Sequence, residues 1–219
     1  AALASQVRSL EAAPTPSPRA DIAIIGISGP YPQARGLQEF WENLREGRSC
    51  ISEVPADRWD HSRFYDPSGK KRDKSYTNWG GFIEGSGDFV SLFFNISPKE
   101  AEQIDPQQRL FLEVVYEAIE DAGYTRRTLG RDVGVYAGVM ANNYLLFSAE
   151  AALGGHSPYP YADNYQVANR ISYFFDFSGP SLSIDTACSA SGVALHTACE
   201  ALRSGACGVA IAGGVNLIL

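Results

Sequence analysis

The chain has 219 residues, enough for one domain with a sizeable core or for two small domains. Its formal net charge of -7 argues against a nucleic acid or an anionic membrane as partner, because both require a basic footprint. No stretch is apolar and uncharged over the roughly 20 residues that a membrane helix needs, so no membrane span is expected. The four cysteines never lie in C-x-x-C spacing, which disfavours a zinc site and predicts reduced thiols in a cytoplasmic protein.

Residues 1–20 differ in composition from the rest of the chain. Three prolines alternate with Thr and Ser over residues 14–18, a pattern that excludes a helix and is typical of an extended linker. We therefore predict an interdomain linker over residues 1–20, with another domain of a longer polypeptide before it, and a folded unit over residues 21–219. Residues 1–11 could form a short helix or belong to a disordered terminus.

The folded unit is predicted to open with a strand and a helix. The apolar run of residues 22–25 ends in Gly26 and is typical of a buried strand. Apolar residues at helical spacing, followed by Gly47, predict a helix over residues 37–44. Residues 55–80 are rich in Pro, Gly, Asp and Lys, and we predict that they form a long surface excursion.

Two consecutive helices are predicted in the middle of the chain. Ser97 is the expected N-cap of the first, with Pro98 in its first turn. Pro106 interrupts this helix and begins a second one, which runs to Gly123. The predicted buried stripe of the second helix consists of Leu110, Phe111, Val114, Val115 and Ala118.

The last third of the chain alternates strands with helices. Strands are predicted over residues 133–139, 181–185 and 209–212, with a further strand beginning at Val215. Helices are predicted over residues 163–175 and 189–203, the second one ended by Gly205. Such alternation implies an α/β fold with a largely parallel central sheet.

The stretch around Cys188 carries the chemistry that the sequence indicates. It is predicted as a strand, a tight turn bearing the cysteine and a helix, with small residues on both sides. Such a corner exposes a nucleophile, and the helix N-terminus favours a thiolate and can bind an oxyanion. Cys188 is therefore our candidate nucleophile. The alternative is that it is a small buried hydrophobic residue, as many free cysteines are.

A cysteine nucleophile usually needs a neighbouring base, and the chain offers three histidines. His196 lies eight residues beyond Cys188, about 12 Å along a helix, so we interpret it as a structural histidine. His61 and His156 lie in loop-like sequence and are expected at the surface. The residues alone thus predict a nucleophile without an evident base. A partial glycine motif at residues 26–30 lacks the third glycine of a phosphate-binding turn, so it is a weak candidate for a phosphate site. We predict neither a bound cofactor nor a metal.

Polar and large side chains directly follow the predicted strand over residues 133–139. Met140, Asn143 and Tyr144 are our candidate residues for a substrate pocket, together with the intervening Asn142. The same residues could equally be ordinary strand-end and loop residues, and the sequence leaves both interpretations open.

Several segments, in the same order along the chain, resemble the motifs of beta-ketoacyl synthases. The sequence D-T-A-C-S-A-S around Cys188 is similar to the active-site signature of that family. The other segments are D-I-A-I-I-G at residues 21–26, D-P-Q-Q-R-L at 105–110, N-R-I-S-Y at 169–173 and G-G-V-N at 213–216. Residues 140–144 and 161–165 are most similar to ketosynthases of bacterial trans-acyltransferase polyketide assembly lines.

The resemblance implies a thiolase-like α-β-α layered fold with a mostly parallel central sheet, of which residues 21–219 are the first of two duplicated halves. It implies that Cys188 accepts an acyl chain from the phosphopantetheine arm of an acyl carrier protein. A malonyl-type extender is then decarboxylated and condensed onto that chain. The partners it implies are the carrier protein, a C-terminal half with two histidines and a lysine, and a second subunit of a homodimer.

The sequence ends before those histidines and that lysine. We therefore expect that the isolated chain is not competent for condensation. The alternative function is a non-catalytic half-domain that serves as a docking or assembly element. Cys188 within an intact motif favours the enzyme for the whole protein, whereas the end of the sequence before the second half favours the docking element for this chain.

Overall fold

The computed structural model describes residues 21–155 and 162–217, apart from the side chain of Ser148. The predicted linker over residues 1–20 and the predicted surface position of His156 lie outside these ranges. The helices are α1 (Leu37–Arg45), α2 (Pro98–Gln103), α3 (Pro106–Asp121), α4 (Tyr144–Leu153), α5 (Tyr165–Phe175) and α6 (Ala190–Ser204). The strands are β1 (Ser52–Glu53), β2 (Trp79–Gly80), β3 (Val133–Val139), β4 (Ser181–Ile184) and β5 (Val209–Val215).

The main sheet has three parallel strands in the order β4-β3-β5. In the centre, Val135 of β3 is paired with Ser181 on one side and with Ile211 on the other. Every residue of β3 is buried, as expected for a parallel strand that is covered on both faces. The prediction of an α/β fold with a parallel sheet is therefore confirmed. None of the described helices is long and apolar enough to cross a membrane.

Helices cover both faces of the sheet, and the alternation of side chains along β3 separates the two layers. Its four valine and alanine side chains at odd positions, Val133 to Val139, belong to a core formed with α3 and α5. On the opposite face, Tyr136 packs with the alanine side chains Ala194, Ala198 and Ala201 of α6. The structure is thus a three-layer α-β-α arrangement in which α6 lies alone on one face of the sheet, among the described elements.

Both central helices begin as the sequence predicts. The hydroxyl of Ser97 accepts a hydrogen bond from the N–H of Glu100 at 3.2 Å and caps α2. Asp105 caps α3 in the same way by accepting from the N–H of Gln107. The buried stripe of α3 differs from the prediction: Leu112 and Ile119 join Phe111 and Val115, while Leu110, Val114 and Ala118 are half-buried. These four buried side chains pack into one core with residues of β3 and α5.

The predicted opening strand is wrong for this structure. Residues 22–25 form no strand, and Ile24 is 83% exposed. The segment instead crosses the C-terminal end of α3, where the N–H of Ile27 donates to the Asp121 carboxylate at 2.9 Å. A strand requires a neighbouring strand for its hydrogen bonds, and no described strand pairs with these residues. Apolar composition alone could not supply that neighbour.

The glycine pair Gly213-Gly214 does not end β5, which continues through Val215. The prediction of a new strand beginning at Val215 is therefore wrong. Both glycines pair in parallel register with residues of β3. A Cβ atom at Gly213 would lie 3.0 Å from the Phe111 ring, and one at Gly214 would lie 2.7 Å from Ser191. The glycines are thus required by close packing of the layers and not by a turn.

The remaining predictions for the first half of the chain are largely confirmed. Helix α1 occupies the predicted position, and Gly47 follows it with a φ of +62°. Phe40 of α1 stacks on Tyr31 with ring centroids 4.0 Å apart, but Trp41 and Leu44, two of the apolar residues whose spacing predicted this helix, are exposed. Residues 55–80 form an irregular excursion that is closed by the antiparallel pair β1-β2.

Tyr136 provides a stability test of the layer between β3 and α6. Its side chain is buried beside Cys207, and burial together with that neighbouring thiol raises the pKa of Tyr136 to about 12. In the unfolded chain the phenol ionises near its ordinary pKa of about 10, so wild-type stability should fall as pH rises from about 10 to 12. The free energy of unfolding of the Tyr136→Phe variant should fall by about 1.4 kcal/mol less per pH unit in that window than the free energy of unfolding of the wild type. Urea unfolding at pH 9 to 12 measures this difference, and parallel slopes for the two proteins would contradict it.

Candidate active site

Cys188 lies in a tight turn between β4 and α6, at the carboxyl end of its strand. The strand–turn–helix geometry predicted for it is present, and its side chain is exposed. The interpretation of Cys188 as a small buried residue is therefore wrong. The residue before it, Ala187, has a φ of +53°, a left-handed conformation that is rare and unfavourable for a residue with a Cβ.

The strained turn is held by the side chains on either side of the cysteine. The Asp185 carboxylate accepts a hydrogen bond from the N–H of Ala187 at 3.0 Å. The Ser189 hydroxyl donates to the carbonyl of Thr186 at 2.8 Å and contacts the Thr186 hydroxyl at 3.0 Å. These bonds fix the backbone on both sides of Cys188 and so hold the thiol outward from the corner.

Helix α6 points its N-terminus at this turn. Its N-cap residue, Ser189, makes no side-chain cap hydrogen bond to the first turn. The first N–H groups of an α-helix have no acceptor within the helix, and they carry the partial positive charge of the helix dipole. The N–H of Ala190 already donates to the carbonyl of Ala187 at 3.0 Å, so the backbone donors beside Cys188 that can bind an anionic oxygen are those of Ser191 and Gly192.

The ends of β3 and β5 fix where α6 begins. A Cβ atom at Gly138 would lie 2.5 Å from the backbone nitrogen of Ser191 and 2.7 Å from the carbonyl carbon of Ala190. Gly214 on β5 is equally close to the side chain of Ser191. The first turn of α6 thus rests directly on the backbone of the sheet, because glycine occupies both strand positions.

The segment N-R-I-S-Y on α5 is hydrogen-bonded to the strand that leads to Cys188. Ser181 of β4 donates to the Asn169 amide oxygen at 2.8 Å and accepts from Ser172 at 2.9 Å. Two residues along, the hydroxyl of Ser183 accepts from the backbone N–H of Ala168 at 3.2 Å. These three contacts fix the position of β4 against α5.

Gln107, on the segment D-P-Q-Q-R-L, joins the ends of two strands. Its amide nitrogen donates to the carbonyl of Ala141, just beyond β3, at 2.7 Å. Its amide oxygen accepts from the N–H of Leu217, just beyond β5, at 3.0 Å. Gln107 also contacts the buried Asp105, where burial raises the pKa of the carboxyl group and the hydrogen bonds from Gln107 oppose that rise.

The next residue of the segment connects α3 to α5. The amide oxygen of Gln108 accepts from Arg170 at 3.3 Å, and Arg170 forms an ion pair with Glu100 of α2 at 3.2 Å. We did not assign a role to Gln107 or Gln108 from the sequence. A signal was present, because both lie four residues before Phe111 and Leu112 and therefore on the buried side of α3.

The candidate pocket residues lie at the same edge of the sheet as Cys188, because the carboxyl ends of parallel strands meet at one edge. Met140 directly follows β3 and is 40% exposed, and Asn143 is exposed at the start of α4. Tyr144 is turned toward α2, where its hydroxyl donates to the carbonyl of Glu102, and burial raises its pKa. Their role in binding substrate stays a prediction.

The described histidines lie apart from the Cys188 turn. His196 is exposed, so its interpretation as a structural histidine is wrong. Ala194 and Ala198 of α6 face the sheet, and a residue midway between them faces outward. His61 lies in the surface excursion beside Tyr65. The turn thus presents an exposed thiol with backbone N–H donors beside it. None of the described residues of the turn is a histidine that could act as a base for the thiol.

Comparison with known proteins identifies this arrangement. The family model "Beta-ketoacyl synthase, N-terminal domain" matches residues 19–219. The chain belongs to this family. The family assignment that the motifs indicated is therefore confirmed, and so is the thiolase-like fold.

Curated and solved relatives of this ketosynthase chain are polyketide synthases. It is 51% identical over 219 residues to the polyketide synthase ThaG of Burkholderia thailandensis, covering 99% of this chain and 4% of that protein. It is 53% identical to PksL of Bacillus subtilis over 90% of this chain and 4% of that protein. The oxazolomycin ketosynthase domain OzmH KS7 of Streptomyces albus superposes with a TM-score of 0.86 at 51% identity, covering 89% of this chain and 34% of that one. A bacillaene synthase ketosynthase of Bacillus subtilis gives a TM-score of 0.80 at 41% identity, over 90% of this chain and 32% of that one.

A substitution of Gly138 tests whether the sheet positions the turn that bears Cys188. Gly138→Ala should destabilise the chain by about 1–3 kcal/mol, because the new Cβ meets backbone atoms of α6 that no rotamer change can move. It should also slow alkylation of Cys188 by iodoacetamide, since α6 is displaced. Gly192→Ala is the matched control, because no atom lies within 4 Å of a Cβ there. Urea unfolding and peptide-mapped alkylation measure both effects, and equal behaviour of the two variants would contradict the prediction.

A substitution of Gln107 tests whether this side chain holds the ends of β3 and β5 together. Gln107→Leu leaves the Leu217 N–H and the Ala141 carbonyl without their partner, so we expect a loss of about 2–4 kcal/mol in unfolding free energy. Gln38→Leu, on the exposed side of α1, should change stability by less than about 0.5 kcal/mol. Denaturant unfolding of both variants makes the comparison. A loss below about 1 kcal/mol for Gln107→Leu would show that the junction is held by other contacts.

Proposed function

We propose that this chain is part of a ketosynthase that accepts an acyl group on Cys188 from an acyl carrier protein and extends it by decarboxylative condensation in polyketide biosynthesis. The observation that carries the proposal is the exposed thiol at a strained strand-to-helix corner, directly before the uncapped start of α6. The relatives support it, because each is called a polyketide synthase or a ketosynthase.

In the first step, the Cys188 thiolate attacks the thioester carbonyl carbon on the phosphopantetheine arm. A carbon–sulfur bond forms, and the carbonyl oxygen becomes an oxyanion that the first N–H groups of α6 can bind. As the carbonyl re-forms, the bond to the pantetheine sulfur breaks, and the carrier leaves as a thiolate that takes up a proton. The acyl group is then a thioester of Cys188.

In the second step, a malonyl-type thioester loses CO₂, and the resulting carbanion attacks the acyl–Cys188 carbonyl. The new carbon–carbon bond gives a β-ketoacyl thioester on the carrier, and the Cys188 thiolate is released. In this proposal the chain binds no cofactor. In it the C-terminal half of the ketosynthase supplies the histidines and the lysine that assist decarboxylation, and this chain supplies the nucleophile.

A second subunit is the remaining partner in this proposal. Among the described strands, β4 is an edge strand with β3 as its one neighbour. Leu182 of β4 and Tyr173 of α5 are exposed near this edge. An open strand edge with apolar side chains is a surface that favours association. Pairing of two chains there would form the expected homodimer.

Removal of the nucleophile is the direct test. Cys188→Ala should abolish formation of an acyl adduct when the chain is incubated with an acyl N-acetylcysteamine thioester, as read by intact mass and peptide mapping. Cys199→Ala, which removes a half-buried thiol of helix α6, should load as the wild type does. A folded wild-type chain that forms no adduct on Cys188 would contradict the proposal and favour the docking element. Loading of the Cys188→Ala variant above half of the wild-type level would contradict it as well.

A further inference from the structure

A small cavity lies between the root of the excursion over residues 55–80 and the chain just beyond β5. Its volume is about 80 Å³. Since a buried water needs about 15 Å³ of such space, the cavity has room for roughly five water-sized groups. No lining residue has a carboxylate, so the one charge among these side chains is positive. The residues that line the cavity are Arg58, Gly81, Phe82, Ile83, Asn216 and Leu217.

The guanidinium group of Arg58 supplies this positive charge. The Arg58 side chain is half-buried and donates to the carbonyl of Ile83 at 2.6 Å. It takes part in no ion pair with another residue of the described ranges. A guanidinium has five N–H donors, and a half-buried cation loses hydration without gaining a counter-ion in exchange. An anion is therefore the ligand that this group favours.

The wall of the cavity around Arg58 is held by contacts that leave most of the guanidinium donors unused. The backbone N–H of Arg58 donates to the carbonyl of Pro55 at 3.0 Å and closes a turn at the start of the excursion. A Cβ atom at Gly81 would lie 2.9 Å from the Pro32 ring, so this part of the wall is packed directly against a neighbouring segment. The guanidinium is thus placed by the fold before any ligand binds.

Asn216 provides the second polar side chain of the cavity. It directly follows β5, and its exposed side-chain amide forms no hydrogen bond with another described residue. The next residue, Leu217, is buried, and its N–H donates to Gln107 at 3.0 Å. The backbone that carries Asn216 is therefore fixed, while its amide N–H groups can donate to a ligand.

Strand pairing places the cavity at the edge of the sheet that carries Cys188. One residue of β3 is paired with both Gly214 of β5 and Ile184 of β4. Asn216 and Thr186 each lie two residues beyond these partners, so two strand spacings, about 10 Å, separate them along the edge. Thr186 forms an isolated bridge with Cys188. A ligand in the cavity is thus within reach of a molecule that occupies the turn.

We propose that Arg58 and Asn216 form a subsite for a small oxoanion, a phosphate or a carboxylate, beside the candidate active site. The guanidinium binds two oxygens of the anion side by side, as it does in phosphate and carboxylate pairs, and the Asn216 amide donates to an oxygen as well. The inference goes beyond the proposed function, because it requires no reaction at Cys188.

Titration with single anions tests the subsite. Inorganic phosphate, dimethyl phosphate and acetate are added separately to the full isotope-labelled chain, and the backbone N–H resonances of residues 81–83 report binding by nuclear magnetic resonance. Phosphate should give saturable shifts. Arg58→Gln should weaken phosphate binding about tenfold, because it removes the charge and the fork while keeping a donor for the Ile83 carbonyl. Asn216→Leu, which removes no contact within the described chain, should weaken it about threefold.

Arg45→Gln is the matched control, because it removes the same charge from an exposed side chain of α1 and should bind phosphate as the wild type does. Tighter binding of dimethyl phosphate than of acetate would identify a phosphodiester as the ligand class, and the reverse order would identify a carboxylate. The absence of saturable shifts with all three anions would overturn the subsite. Equal affinities of the wild type and both cavity variants, or an equal loss in Arg45→Gln, would overturn it too. Because no acyl transfer is measured, failure of Cys188 to load would not alter this outcome.

Discussion

The close approach of α6 to the carboxyl ends of β3 and β5 is the constraint on which the candidate active site depends. Gly138 and Gly214 leave no room for a side chain, so the first turn of α6 lies against the backbone of the sheet. A helix held this closely cannot slide along its axis, and its first N–H groups therefore keep a fixed position. The turn between β4 and α6 must then be short, and Ala187 takes a left-handed conformation to close it. The strain at the nucleophile thus follows from the packing of the layers beneath it.

Buried polar side chains hold the same edge from the other face of the sheet. Gln107 bonds to the chain beyond both β3 and β5, and Gln108 bonds to Arg170 on α5. Helix α5 in turn is bonded through Asn169 to the strand that precedes Cys188. Three segments that are far apart in sequence are therefore bonded to one another on this face of the sheet. Since a buried polar group without its partner is costly, each of these contacts penalises a displacement of its neighbours.

Local signals in the sequence predicted the parts of the structure that local physics determines. The cap at Ser97, the start of α3 at Pro106, the buried strand β3 and the strand–turn–helix around Cys188 each follow from residue types at fixed spacing. The failures concern contacts between distant segments. Residues 22–25 have strand composition but no described neighbour, and the glycine pair of β5 looks like a stop signal until α6 and Phe111 are placed against it. The exposed position of His196 likewise depends on which side of α6 meets the sheet.

The difference between local signals and contacts between distant segments also explains what the sequence indicates about the chemistry of the candidate active site. The residues around Cys188 satisfy one another: Asp185 binds the N–H of Ala187, Ser189 binds Thr186, and the N–H of Ala190 binds the carbonyl of Ala187. The thiol and the next amides of α6 are left to the substrate. Asp105 and Asp121 are likewise occupied by backbone N–H groups and are not placed to act as bases. Acyl transfer needs mainly a positioned thiol and an oxyanion site, which this edge of the sheet supplies.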